Sequence, residues 1–103
     1  MLREPALRPV ARHDVATLKR LLLELGYDVE TDQLTRRVEL VGVHSDHFLQ
    51  VAVDSDDRVL GAVHAHLQFD LTSGAFTEIA MLIVAHDTRR GGIGRSLVHA
   101  VEG

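Results

Sequence analysis

The sequence predicts a single α/β (α+β) domain in which a mixed, mainly antiparallel sheet is flanked by helices, in the order β-α-α-β-β-β-α. Three observations predict it. Apolar residues recur at helical spacing twice within the first 42 positions. Two β-rich runs, "FLQVAV" and "VLGAVHAHL", are joined by the turn-forming "DSDDR". A nearly continuous apolar run, "FTEIAMLIV", then leads through glycines into a third helical pattern. At 103 residues and 46% hydrophobic composition the chain has material for one core and no more.

A short extended piece is expected around Leu7 to Ala11. Asp14 is placed to cap a helix whose stripe is Val15, Leu18, Leu21, Leu22 and Leu25, and Gly26 closes it. A second helix is expected to start after Thr31 or Asp32, to bury Leu34, Val38 and Val41, and to end near Gly42. From residue 48 the period changes to that of strands: residues 48–53 and 59–67 read as an antiparallel hairpin across three aspartates and a serine. The run at 76–84 is apolar enough to be buried on both faces, with Glu78 its one charged residue. Ile93, Leu97, Val98 and Val101 form the stripe of the last helix.

Several function classes fall on composition. There is no cysteine, so disulfides, thiolate zinc sites and a cysteine nucleophile are excluded. A net charge of -4 argues against a broad grip on nucleic acid. No apolar run approaches the ~20 residues of a membrane span, and the N-terminus lacks a signal-peptide core, so no membrane partner and a cytoplasmic location are expected. His64 and His66 alternate on one strand face, a spacing that can ligate metal, but a third ligand such as His44 or His47 would have to converge on them. The preferred reading is a half-wet sheet face lining an acceptor pocket, with no metal. Asp54, Asp56 and Asp57 lack the glycine and distal glutamate of a calcium loop.

The chemistry concentrates in "RRGGIGR", residues 89–95. Glycines before a helix let a ligand approach unpaired N–H groups at the positive end of the helix dipole, and Arg89, Arg90 and Arg95 add local charge, so the turn suits a pyrophosphate. It is not a P-loop, for no lysine follows the glycines; the chain's sole lysine is Lys19. A Rossmann turn would need a small residue where Leu97 stands.

Arg89-Arg90-Gly91-Gly92-Ile93-Gly94 resembles the acyl-coenzyme A turn of the GNAT superfamily of N-acetyltransferases, whose pattern is Arg or Gln, two free positions, Gly, one free position, then Gly or Ala. The strand "EIAMLIVAHDT" before it, the opening "LRPVARHDVATLKRLL" and the element order are similar as well. The resemblance implies a GNAT-like fold and transfer of an acetyl group from acetyl-CoA to a primary amine of a small molecule or peptide, by direct attack. It also implies that Arg89, Arg90, Gly91, Gly92, Ile93, Gly94 and Arg95 bind the coenzyme, with the backbone N–H groups of about Arg90 to Arg95 cradling its pyrophosphate. Leu82, Ile83 and Val84 would pair with the pantetheine arm as an added strand. Glu78, at the position where histone-modifying members carry a glutamate, is the candidate base; an apolar strand around it would suit a carboxylate that takes protons near neutrality.

The family pattern continues past this helix with a further parallel strand, a helix and two strands. Residues 1–103 are therefore expected to be a single but incomplete GNAT domain, truncated before those strands. The strand at 76–84 should lack one neighbour, and Ile93, Leu97 and Val101 part of their cover, which could support a homodimer. The alternative to the enzyme is a catalytically inactive coenzyme A-binding or dimerisation module of the same fold. The acid that protonates the leaving thiolate is unassigned, because Tyr27, the sole tyrosine, does not match the family position.

Overall fold

A computed structural model describes residues 5–86 and 92–102. The elements run β1 (Ala6–Pro9), a 3-10 turn (Arg12–Asp14), α1 (Val15–Glu24), α2 (Thr31–Gly42), β2 (His47–Val53), β3 (Val59–Asp70), β4 (Gly74–Val84) and α3 (Ile93–Glu102). This is the order expected from sequence. The four strands form one antiparallel sheet in the order β1-β2-β3-β4, with α1 and α2 against one face and α3 against the other. Among the described residues no helix is long and apolar enough to cross a membrane.

Val15, Leu18 and Leu21 of α1 and Leu34 of α2 bury against Val51, Val53, Ala62 and Ile83, the larger of two cores. Burial of this face holds helices that would be marginal alone. Gly26, at φ 93°, supplies the left-handed residue that ends α1 and turns the chain toward α2. Ala52, Val63, Ile93 and Leu97 make the core on the α3 face. Val101 is only partly covered, as expected, while Ile93 and Leu97 are buried, against the expectation from sequence. The reason is Gly61: a Cβ there would stand 3.1 Å from both Ile93 Cγ2 and Leu97 Cδ1, so its absence lets α3 settle onto β3.

Two further expectations are corrected. Asp14 starts α1 but does not cap it with its side chain. Its buried carboxylate accepts both Arg8 Nη atoms, at 2.7 and 2.8 Å, and the Ala11 N–H at 2.7 Å. Arg8 also donates through Nε to Asp57 at 2.9 Å, so one guanidinium ties β1, the start of α1 and the β2–β3 turn together. In that turn Asp54 Oδ1 accepts the N–H groups of Asp56 and Arg58, and Asp57 takes a positive φ of 62°.

The second correction is β4, which is not buried on both faces. It is the edge of the sheet, exposed from Ala75 to Ala80, with Phe76, Ile79 and Leu82 each about 40% accessible. Its pairing with β3 also slips: His64 faces Met81 but Ala65 faces Ile79, leaving Ala80 as an extra residue without a Cα partner on β3. At the far end β3 and β4 outrun β2, which stops pairing at His47 opposite His66. The Leu67 N–H still bonds to the Asp46 carbonyl at 2.9 Å, and residues 68–76 beyond it form a two-stranded arm, closed by a turn in which Asp70 Oδ1 accepts the N–H groups of Thr72 and Ser73.

Candidate active site

The site lies where the C-terminal end of β4 meets the start of α3. Helix α3 begins after Gly92, whose φ of 77° is open to glycine and whose carbonyl oxygen accepts the Ser96 N–H at 3.1 Å. The N–H groups of Ile93, Gly94 and Arg95 therefore stand in the first turn without intrahelical acceptors. A cavity of about 620 Å³ opens on this terminus, lined by Leu25, Leu82, Ile83, Val84, Gly92, Gly94 and Arg95. A Cβ on Gly94 would rest at ordinary contact, 3.5 Å, from Val84 Cγ2, so strand end and helix start are packed together. Of the residues expected to hold the coenzyme, the structure brings together Leu82, Ile83, Val84, Gly92, Gly94 and Arg95 around this space. Ile93 is turned into the core beneath it. Arg89, Arg90 and Gly91 lie outside the described residues.

A second cavity, about 750 Å³, lies between the helices and the sheet. Leu18, Leu22 and Leu25 of the first helical segment, Leu34, Val38 and Val41 of α2, and Ala80, Met81 and Leu82 of β4 make it chiefly apolar. Its polar side chains among the described residues are Tyr27, Arg37 and His64. Leu25 and Leu82 line both cavities, so the two spaces adjoin.

His64 belongs to a cluster that sequence reading left open. The β2–β3 register sets His47 opposite His66 and Leu49 opposite His64, so His47, His64 and His66 share the helical face of the sheet. His47 Nδ1 and His64 Nε2 are hydrogen-bonded at 2.9 Å, with ring centroids 5.1 Å apart and nearly parallel. The rings of His47 and His66 stack at 5.3 Å. His44, whose Nδ1 is hydrogen-bonded to the Leu40 carbonyl, meets His47 edge-on. Burial pushes the His64 imidazole below its ordinary value, and the neighbouring His47 and His66 add to the shift. Three histidines do converge, through a pairing of residues 17 apart that no local pattern encodes. Even so, no group of three or more His, Cys, Asp or Glu among the described residues has the geometry to hold a metal ion.

Glu78 sits across from His66, its Oε1 3.8 Å from His66 Nε2. The slip at Ala80 matters here: it puts Glu78 on the same face as Met81 and the histidines, although the two residues are three apart. The apolar surroundings expected for Glu78 are absent, because an edge strand leaves its side chain 55% exposed. It does not line either cavity.

Comparison with known proteins bears on this geometry. No curated protein matches the sequence. Among solved structures, a GNAT family acetyltransferase from Staphylococcus aureus superposes with a TM-score of 0.81 at 19% identity, over 97% of this chain and 76% of that one. Glucosamine-6-phosphate N-acetyltransferase from Arabidopsis thaliana gives 0.83 at 17%, over 97% and 73%. An aminoglycoside 6'-N-acetyltransferase from Acinetobacter baumannii gives 0.79 at 18%, over 94% and 68%. At these identities the likeness speaks for the fold. The sequence model of the acetyltransferase (GNAT) family matches residues 15–103, so the chain belongs to the GNAT acetyltransferase family and is an acyltransferase.

Proposed function

We propose that the chain transfers an acetyl group from acetyl-CoA to a primary amine of a small molecule or peptide by direct attack on the thioester. The observation that carries this reading is the pair of adjoining cavities sharing Leu25 and Leu82. One offers the features an acyl-coenzyme A needs: unpaired N–H groups and Arg95 at a helix start for the diphosphate, and the main chain of Leu82, Ile83 and Val84 on the sheet-edge strand for the pantetheine amides. Arg89, Arg90 and Gly91 belong to the same proposed turn. The other cavity is roomy enough for an acceptor and meets the first where the thioester would lie.

Direct attack needs the amine as a free base, so the site must remove a proton from an ammonium. Glu78 is the proposed carboxylate of that proton path. Its support is its place on the histidine face beside His66; its exposure means that it reaches the amine through intermediates and not by contact. The edge of β4, with Phe76, Ile79 and Leu82 accessible, is the proposed surface for a homodimer.

The test is calorimetry with coenzyme A, followed by thiol release from acetyl-CoA against a panel of amines. Gly94→Glu is the informative variant. Gly94 has no positive φ and room for a Cβ, so the backbone tolerates the change while a carboxylate is set against the diphosphate. Loss of coenzyme affinity in a folded Gly94→Glu variant is expected; unchanged affinity would remove the proposed seat. Coenzyme binding without turnover of any amine would leave a binding module in place of the enzyme.

A further inference from the structure

We propose that His64 is the residue that takes the proton from the acceptor ammonium and that His47 relays it to solvent; this rests on the transferase reading above. The starting point is what lines the large cavity. Of its side chains, Tyr27, Arg37 and His64 can titrate or carry charge. A tyrosine is a neutral donor near pH 7 and an arginine is permanently charged, so among the described lining residues His64 is the one that can accept a proton. It is held opposite Met81, between the extra residue Ala80 and Leu82, and Leu82 lines both cavities.

The hydrogen bond to His47 decides which nitrogen works. With His64 donating through Nε2 to His47 Nδ1, the His64 Nδ1 lone pair is open to the ammonium. The ammonium gives one proton to His64 Nδ1; His64 passes its Nε2 proton to His47 Nδ1, and His47 releases its own from Nε2 to water. The free amine then attacks the thioester carbonyl, the C–N bond forms, the C–S bond breaks with its electron pair on sulfur, and the second nitrogen proton ends on that thiolate. One proton leaves to solvent per amide formed. No oxidant or further reactant is required.

The surroundings favour this direction of flow. The charged and titratable groups around His64 are His47 on β2, His66 beside it on β3 with Glu78 behind on β4, and Tyr27 and Arg37 on the helical side. Gln68 Nε2 is 3.1 Å from His66 Nδ1; with the amide donating, His66 carries its proton on Nε2, toward Glu78. The Glu78 carboxylate thus sets a negative charge beside imidazoles that become positive in turn, while Arg37 discourages the charge from resting in the cavity. Among the described residues that lining has no Asp or Glu, so a polycationic acceptor finds no counter-charge from them; an amine on an apolar body fits better.

Two readouts test the relay in the full chain. Nitrogen NMR of the free protein reports tautomers without any turnover: His64 protonated on Nε2 and His47 accepting at Nδ1 is expected, and His64 protonated on Nδ1 overturns the proposal. Kinetics with acetyl-CoA and the best amine of the panel is the second. His64→Gln should lower kcat about a hundredfold, leave coenzyme A affinity unchanged by calorimetry, and remove the limb of the kcat profile that rises with pH below the ordinary histidine range. His47→Gln should lower kcat less and displace that limb, which a merely structural role would not do. An unchanged rate and profile in His64→Gln overturns the relay and leaves the transferase standing; should that variant not fold, an unchanged profile in His47→Gln does the same. Absence of turnover by the wild type overturns both.

Discussion

Gly61→Ala is expected to destabilise the chain by about 1–2 kcal/mol, and the structure sets the scale. The added Cβ would stand 2.7 Å from the Ile83 carbonyl oxygen, a backbone atom that can retreat only if the end of β4 moves. It would also press on Ile93 and Leu97, each at 3.1 Å and each buried. Overpacking of this kind costs about 1–3 kcal/mol, offset by about 0.4–1 kcal/mol from the stiffer unfolded chain. For a domain of this size each kcal/mol lowers Tm by about 4–8 °C, so a drop of about 5–15 °C is expected in a thermal melt. Coenzyme A affinity should weaken with it, because Ile83 and Ile93 belong to the strand end and helix start that frame the proposed coenzyme cavity. Gly42→Ala is the control. A Cβ there meets nothing within 4 Å, at the end of α2, so the same change should be neutral or slightly stabilising. A Gly61→Ala protein as stable as the wild type would refute the close approach of α3 to β3.

Asp14→Asn should cost about 2 kcal/mol at neutral pH: the lost carboxylate is buried, while Arg8 keeps Asp57 and some water. Burial on its own would raise the Asp14 carboxyl, but the Arg8 hydrogen bonds and the Ala11 N–H outweigh it and hold it below the ordinary 3.8. A group held below its unfolded value contributes stability above that value and loses it as pH falls through the folded one. The gap between wild type and variant should thus be flat near neutrality and shrink below about pH 4 in urea melts across pH; a constant gap down to pH 2 would contradict the ion pair. Glu78→Gln should lower turnover while leaving both coenzyme affinity and Tm unchanged, since its side chain is largely in water.

The order of elements was legible because each carries its own period and punctuation. The stripe of α1, the left-handed Gly26 and the Asp54 turn are local features, and local residues determine them. Residues whose roles depend on distant partners were not readable in the same way. Asp14 looks like a helix cap until Arg8 and the turn at Asp57 are brought beside it. In β4 the extra residue Ala80 shifts the alternation by one, so side chains before and after it that share a parity face opposite sides. A run with such a shift reads as uniformly apolar, and nothing within it tells an edge from a centre. The glycine turn was legible as a motif, and a cavity lies against Gly92, Gly94 and Arg95 and the end of β4, where the proposed coenzyme seat would be. The histidine cluster was half legible: His64 and His66 announce a face, but His47 joins them only through the register of β2 on β3.

That register also places a boundary. His66 is the last residue of β3 with a Cα partner on both sides, His47 and Glu78, and the Leu67 N–H makes the last bond toward β2, to Asp46; beyond it the arm of residues 68–76 has two strands and exposed Phe69 and Leu71. Two strands alone are marginal in water, so amides of the arm should exchange with solvent faster than those of the three-stranded region. Glu78 stands at the hinge of that fraying. Each opening of the arm would swing the carboxylate away from His66, and any protein or ligand that clamps the arm's tip would hold it in place, tuning proton release from a distance of several residues.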